Sequence, residues 1–253
     1  METVMIQNAA IIPLLKDVAR QEHQLQLTCD SCALYSLCLP LGLHRNDLET
    51  LDSIIKRSKP LASGQALYKM AASFDSLHVV RSGAFKTTLT AADGREQITG
   101  FYLPGDLIGM DAIHTGQYQS TATALTSSSV CGLPYDRLQD LSQVIPALQQ
   151  QIYNRLSKEL ANDKQLLMAL GQKTAMEKLV SFLISLSRRF EERGYAANRF
   201  QLPMSRIDIA NHLGLAIETV SRLLTQLSND GLIDCQGKMI ELLDKPQLKK
   251  LCS

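Results

Sequence analysis

Four cysteines constrain this chain most strongly. Cys29, Cys32 and Cys38 lie within one short segment, and Cys131 stands alone far downstream. The segment around the first three is rich in small polar residues and is followed by Pro40, which is typical of a loop folded around a bound group. Thiolates bind zinc, iron–sulfur clusters or one another. The spacing therefore has to be tested against each of these.

The surrounding sequence disfavours two of these interpretations. Disulfide frameworks suit secreted proteins, but the first twenty residues lack the basic leading region and unbroken apolar stretch of a secretory signal, so we expect a reducing, cytoplasmic compartment. A thioredoxin-like motif follows a buried strand, and no apolar strand precedes Cys29. An iron–sulfur cluster is the favoured interpretation. Structural zinc, which usually takes two Cys-x2-Cys pairs, stays open.

The composition is that of an ordinary protein with room for two domains. The 253 residues are 45% hydrophobic and 20% charged, and no long apolar run predicts a membrane segment. Cys235 and Cys252 are interpreted as a partly buried hydrophobic residue and a tail residue. No Ser/His/Asp set, phosphate-binding glycine loop or pair of catalytic carboxylates accompanies the cysteines. We therefore expect no enzyme.

Residues 206–224 carry the second strong pattern, two short amphipathic helices that meet at an angle. Ala210 is small where the helices would cross, and Gly214 suits the turn between them. Apolar residues fall at intervals that bury one face of each helix: Ile209, Leu213, Leu215, Val220 and Leu223. The pattern predicts a helix-turn-helix, and residues 231–242 after it predict a β-hairpin wing.

The outer face of the second helix, about residues 217–227, presents Glu218, Ser221 and Arg222 at helical spacing. Arg222 has the planar fork that fits guanine, and Glu218 can accept a hydrogen bond from cytosine. An ion pair between Glu218 and Arg222 on a solvated face is the alternative. Because the net charge is only +1, attraction to DNA phosphates has to be local, and arginines of the C-terminal portion are expected to supply it: Arg188, Arg189, Arg193, Arg199, Arg206 and Arg222.

Two further segments complete the organisation. Between Pro60 and about Pro134, short apolar pieces punctuated by glycines predict a small antiparallel β-barrel or jelly roll, with Cys131 on a strand. Residues 147–173 contain no glycine or proline before Gly171 and predict one long helix. Positions along it step by three and four, as in the seam of a two-stranded coiled coil: Tyr153, Leu156, Leu160, Asp163, Leu167 and Leu170. The seam predicts a homodimer, and a single helix packed on its own domain is the alternative.

Asp163 is the polar member of this seam. Facing its twin across a parallel dimer, it would place two carboxylates in a partly dry interface. We expect this to make dimerisation marginal, so that a second event controls it.

With these residues in place, the sequence resembles the bacterial FNR (fumarate and nitrate reduction) regulators, a branch of the cyclic-AMP receptor protein superfamily. The resemblance runs from about Cys29 to Ile240 and rests on the cysteine spacing, on residues 96–101 and 186–190, and on the recognition stretch 213–222. It implies an α+β fold with an N-terminal β-roll (a jelly roll like those of cyclic-nucleotide-binding domains), a long dimerisation helix and a C-terminal winged helix-turn-helix domain. The expected domains are an N-terminal extension (1–28), a cluster-binding loop (29–42), the β-roll (43–145), the dimerisation helix (146–172) and the DNA-binding domain (173–253).

The resemblance also implies a function. It implies a [4Fe–4S] cluster that is assembled without oxygen and degraded by it, held by Cys29, Cys32, Cys38 and Cys131. The cluster-loaded homodimer would bind palindromic DNA with TTGAT-type half-sites, read by Glu218, Ser221 and Arg222. It would activate transcription through contact with RNA polymerase, near residues 91–96. A dimeric regulator of the same fold, with a zinc or empty cysteine site and another signal, is the alternative.

Two departures from the superfamily pattern refine these expectations. Its cyclic-AMP site uses a Gly-Glu-Leu stretch and a later Arg-Ser pair, whereas this chain has Gly105-Asp106-Leu107 and then Ser120-Thr121. Without the arginine a cyclic phosphate loses its charged partner, so we expect no cyclic-nucleotide binding. The extension before Cys29 carries His23, which we expect to be solvated rather than a ligand.

Overall fold

The computed structural model describes residues 28–252. The N-terminal extension, including His23, therefore lies outside the described residues, apart from Thr28. None of the helices within the described range combines the length and the apolar composition that a membrane span requires.

An antiparallel β-roll forms the first domain. It begins with helix α1 (Arg45–Ile54), which buries Leu48 and Leu51. Its strands are β1 (Lys56–Arg57), β2 (Ala66–Tyr68), β3 (Ser76–Ser82), β4 (Phe85–Thr90), β5 (Glu96–Tyr102), β6 (Leu107–Ile108), β7 (Thr121–Ala124) and β8 (Ser129–Pro134). They form two four-stranded sheets with the orders β1-β8-β3-β6 and β2-β7-β4-β5. Val80 and Phe85, one from each sheet, are fully buried between them, so the predicted jelly roll is confirmed.

Two helices follow the β-roll, α2 (Tyr135–Val144) and α3 (Pro146–Gln172). The 27-residue helix α3 is the long helix that the sequence predicted. Pro146 occupies its first turn, where the missing N–H has no intrahelical partner to lose. Leu148 is completely buried and joins the end of the β-roll to α3 in one apolar cluster.

The C-terminal domain is a winged helix-turn-helix. Its elements are α4 (Ala175–Glu191), β9 (Arg199–Gln201), α5 (Arg206–Leu213), α6 (Ile217–Asn229), β10 (Ile233–Gln236), β11 (Met239–Leu242) and α7 (Lys245–Lys250). β10 and β11 form the predicted hairpin, with Gly237 in the left-handed conformation at its turn. β9 adds a third strand to this sheet. β9 was not predicted from the sequence, because three residues are too few to show an alternating pattern.

The helix-turn-helix packs against β5 of the β-roll. The side chain of Asn211 accepts a hydrogen bond from the N–H of Ile98 (2.6 Å) and donates to the carbonyl of Glu96 (2.8 Å). Lys86 of β4 forms an ion pair with Asp208 of α5 at 2.6 Å. Polar contacts of α5 therefore fix the orientation of the DNA-binding domain relative to the β-roll.

Candidate metal centre and nucleic-acid interface

The four predicted cysteines converge on one pocket. Cys29, Cys32 and Cys38 lie on a loop of residues 28–44, here called the cysteine loop, and Cys131 reaches the same pocket from β8. The other walls of the pocket are almost entirely apolar: Leu34, Tyr35, Leu39, Pro40, Leu51, Ile55, Val79, Arg81 and Leu133. All four thiols are free.

Short turns shape the cysteine loop. The N–H of Cys32 donates to the carbonyl of Cys29 (3.3 Å), which closes the first turn. Tyr35–Leu37 then forms one turn of 3-10 helix that leads directly into Cys38. Leu39 is only 2% exposed and anchors the end of the turn in the core, a burial that contributes about 1.5–3 kcal/mol. The cysteines are thus presented by a segment that the β-roll core holds at one end.

Asp52 and Arg57 connect the first cysteine to the last. Asp52, near the end of α1, accepts a hydrogen bond from the backbone N–H of Cys29 (3.0 Å) and forms an ion pair with Arg57. Arg57 lies directly opposite Cys131 across the antiparallel pair of β1 and β8. Neither residue was predicted from the sequence, because a single carboxylate and a single arginine carry no motif. Their role is visible only after β1 and β8 are paired.

Burial is the largest influence on the pKa of three of the thiols, those of Cys29, Cys38 and Cys131. Burial, reinforced by the hydrogen bond to Asp52 and its negative charge, raises the pKa of Cys29 well above its ordinary range. Burial likewise raises the pKa of Cys38 to about 12. It also raises the pKa of Cys131, although nearby arginine charges oppose the shift. Because metal ligands are thiolates, occupation of this site would release protons.

The donor set and its surroundings fit an iron–sulfur cluster. Among residues 28–252, no three His, Cys, Asp or Glu side chains are placed to hold a single metal ion. An iron–sulfur cluster distributes its cysteines over several irons, so the sulfurs need not meet at one point. The apolar walls would limit access of water to the bound group. Four convergent thiols in an apolar shell are therefore compatible with a cluster.

The second candidate site is the exposed face of α6. Gly214, with φ +62°, ends α5 in the left-handed conformation and turns the chain into α6. α6 buries the apolar face that the sequence predicted: Val220, Leu223, Leu224 and Leu227. Glu218 and Arg222 are exposed and Ser221 is half-buried on the outer side. No salt bridge joins Glu218 to Arg222 among the ion pairs of the described residues, so both side chains face solvent.

Two of the six arginines expected to attract phosphates contact the β-roll instead. Arg189 and Arg193 of α4 both donate to the carboxylate of Asp106, each at 2.6 Å, and the Arg193 side chain is only 4% exposed. That part of the expectation is wrong, because both guanidinium groups already form ion pairs with a carboxylate distant in the sequence. Arg206 and Arg222 remain exposed on the helix-turn-helix.

The predicted seam of α3 is partly open in the single chain. Tyr153, Leu160 and Leu167 are 56%, 56% and 72% exposed. The seam residues Leu156 and Leu170 are half-buried by their own chain. Asp163 is exposed on this helix; partial burial and the nearby charge of Asp111 raise its pKa. The structure thus leaves three large apolar side chains of the seam without an intramolecular cover.

Comparisons with known proteins match both domains. Residues 58–144 match the cyclic nucleotide-binding domain family, and residues 177–251 match the Crp-like helix-turn-helix domain family. The chain is 46% identical over 221 residues to the transcriptional activator protein FnrA of Stutzerimonas stutzeri, covering 87% of this chain and 91% of that protein. It is 42% identical over 223 residues to the fumarate and nitrate reduction regulatory protein of Escherichia coli K12, covering 88% and 89%.

The chain belongs to the FNR/Anr-type transcriptional regulators. It is a DNA-binding regulator of the cyclic-AMP receptor protein and FNR family, and not an enzyme. A solved structure, FixK2 from Bradyrhizobium japonicum, shares the fold with a TM-score of 0.72 and 29% identity, covering 79% of this chain and 98% of that one.

In this FNR/Anr-type regulator, the remnant of the cyclic-nucleotide motif has other partners. Asp106 accepts hydrogen bonds from Arg189, Arg193 and the N–H of Leu103. Ser120 donates to Asp111 at 2.9 Å. The Gly105-Asp106-Leu107 stretch therefore serves the junction between the β-roll and the DNA-binding domain.

Proposed function

We propose that this regulator carries a [4Fe–4S] cluster on Cys29, Cys32, Cys38 and Cys131 and responds to oxygen through it. The observation that carries the proposal is the convergence of four free thiols on one apolar pocket. Cluster type follows the resemblance to the FNR regulators, since four thiolates also suit a [2Fe–2S] unit. The relative from E. coli is named for fumarate and nitrate reduction, which supports a role in anaerobic gene expression.

The cluster would act by controlling dimerisation. The exposed seam residues Tyr153, Leu160 and Leu167 favour a parallel pair of α3 helices. Asp163 lies between the last two and would oppose the pairing while it is ionised. If Asp163→Ala leaves the monomer–dimer constant of the cluster-free protein unchanged in sedimentation, Asp163 has no such role.

The dimer would read a palindrome. Two copies of α6 related by the two-fold axis would enter successive major grooves, roughly one helical turn apart. Glu218, Ser221 and Arg222 would contact base edges of TTGAT-type half-sites, and Arg206, which is exposed on the same helix-turn-helix, would contact phosphate.

Activation would follow from contact with RNA polymerase in the bacterial cytoplasm. The proposed contact loop joins β4 to β5, and Asp93 and Arg95 form an ion pair on it with both side chains largely exposed. Cyclic nucleotides are not proposed as ligands, because the phosphate-binding arginine is missing and Asp106 is already paired. Calorimetry should detect no saturable micromolar binding of cyclic AMP.

Reconstitution with ligand variants tests the cluster directly. The wild-type protein, treated with iron and sulfide under nitrogen, should become brown and retain iron and sulfide after desalting. Cys131→Ser should lose that iron, whereas Cys235→Ser, outside the pocket, should retain it. A colourless wild-type protein that instead retains zinc would support the alternative regulator with another signal.

A further inference from the structure

The cysteine loop makes a direct polar contact with the proposed dimerisation helix. The guanidinium of Arg155 on α3 donates to the backbone carbonyl of Leu37 at 2.5 Å. Leu37 is the last residue of the 3-10 turn and the immediate neighbour of Cys38. Carbonyls at the end of a helical turn lack internal partners, so a cationic donor there stabilises the turn.

The turn is held from two sides. A Cβ at Gly105 of the β-roll would lie 2.9 Å from the Cβ of Leu37, so this glycine allows the turn to approach the β-roll closely. Arg155 holds the same residue from α3. A shift of Cys38 toward or away from the pocket therefore has to move Leu37 relative to both the β-roll and α3.

The Arg155–Leu37 contact and the seam lie on two different faces of α3. At 100° per residue, Leu148, Ile152 and Arg155 share one face, and the first two join the apolar cluster that includes Leu39. Leu160 and Leu167 lie on a different face, about 120° around the helix axis, and are exposed. Because α3 is one continuous helix of 27 residues, a rotation or shift imposed at Arg155 also reorients the seam.

We infer that Arg155 is a positioning residue that couples occupation of the cysteine site to dimerisation, by tying the Leu37–Cys38 turn to α3. This inference rests on the proposed cluster, and it names the residue through which occupation of the cysteine site would affect α3. Arg155 is not a ligand, so its removal should separate cluster binding from dimerisation. The carbonyl contact is charge-assisted, and contacts of this kind change equilibria by about tenfold or more.

The test compares four full-length proteins: wild type, Arg155→Gln, Arg155→Lys and Lys158→Gln. Lys158 lies on the same helix but pairs with Glu192, the residue that follows α4, so it is a matched control for charge. Each protein is reconstituted with iron and sulfide under nitrogen. Sedimentation equilibrium gives the dimer dissociation constant with and without the cluster. The constant without the cluster divided by the constant with it measures the coupling.

We expect Arg155→Gln to reduce this ratio at least about tenfold while iron per chain and the absorption spectrum stay at wild-type values. Arg155→Lys, which retains the charge without the fork, should give an intermediate ratio, and Lys158→Gln should match the wild type. A wild-type ratio in Arg155→Gln would overturn the role of Arg155 alone. A ratio of one in the wild type would overturn the proposed function together with it.

A second measurement applies if Arg155→Gln does not retain a cluster. In the cluster-free proteins, hydrogen exchange reports the backbone amides that close the turn, including those of Leu37, Cys38 and Leu41. Arg155→Gln should speed their exchange about tenfold without changing that of β8. Unchanged exchange in the turn would contradict the contact.

Discussion

Asp106→Ala is the substitution whose effect on the free energy of unfolding follows most directly from the structure. Asp106 accepts hydrogen bonds from Arg189 and Arg193 at 2.6 Å each and from the N–H of Leu103 at 2.8 Å. The side chains of Arg189, Arg193 and Asp106 are 24%, 4% and 20% exposed, so the charges are only weakly screened. Removing one partner of a buried ion pair typically costs about 3–5 kcal/mol.

The expected loss for Asp106→Ala is therefore about 3–5 kcal/mol in the free energy of unfolding at pH 7. Arg193 also donates to the carbonyls of Pro104 and Arg189. Because these two hydrogen bonds do not involve Asp106, we expect a loss near the lower end of this range. Urea unfolding followed by circular dichroism provides the measurement. The double variant Asp106→Ala with Arg193→Met should recover part of the loss, because it no longer leaves that guanidinium buried and unpaired.

The same substitution predicts a pH dependence. Burial alone would raise the pKa of Asp106, but Arg189 and Arg193 outweigh it and hold the pKa below the ordinary value of 3.8. A carboxylate with a lowered folded pKa contributes its stability above the unfolded pKa and loses it as the pH falls through the folded pKa. The difference between wild type and Asp106→Ala should thus be constant from about pH 5 to 7 and should shrink below about pH 4.

An exposed ion pair elsewhere in the chain provides the control for Asp106→Ala. Glu241→Gln breaks the largely exposed pair of Arg199 and Glu241 and should change the free energy of unfolding by less than about 0.5 kcal/mol. If Asp106→Ala were as mild as this control, or if its effect persisted undiminished in acid, the ion-pair account of the domain junction would be wrong.

Four further predictions concern single residues. Arg222→Ala should relax discrimination at one base pair of the half-site by about 1–3 kcal/mol in binding titrations, whereas equal weakening on all sequences would make Arg222 a phosphate contact only. Leu160→Glu should raise the dimer dissociation constant of the cluster-loaded protein in sedimentation, and an unchanged constant would argue against the α3 seam. Asp52→Ala removes the acceptor for the Cys29 N–H and should speed alkylation of Cys29 in the cluster-free protein about tenfold, while Asp52→Asn, which retains an acceptor oxygen, should speed it less. Burial lowers the pKa of His78 to about 4, so stability should fall as the pH falls from about 6.5 towards 4, and His78→Phe should reduce that slope by at most about 1.4 kcal/mol per pH unit.

The sequence predicted local elements well where a repeated pattern was present. The buried face of α6 follows the apolar spacing of Val220, Leu223 and Leu227, and Gly214 has the left-handed conformation that its turn requires. The long helix α3 was predictable because nothing interrupts it between Pro146 and Gly171. In these segments the pattern and the tertiary environment require the same residues.

Contacts between distant segments were not predictable from pattern. Arg189 and Arg193 were expected near DNA, but both form ion pairs with Asp106, which lies 83 and 87 residues away in the sequence. The contact between Arg155 and Leu37 spans 118 residues and involves a backbone carbonyl, which has no sequence signature. The approach of Cys131 to the cysteine loop was expected from the number of thiols and from the family resemblance, but its geometry depends on the pairing of β1 with β8, which no pattern indicated.

We propose above all that a cluster on the four cysteines controls dimerisation and DNA binding. The most direct test follows one anaerobically reconstituted sample by absorption, sedimentation and binding to a TTGAT-type palindrome, before and after exposure to air. We predict a brown dimer that binds the palindrome and that bleaches, dissociates and releases the DNA in air. A protein that stays dimeric and binds the palindrome equally in both atmospheres would contradict it.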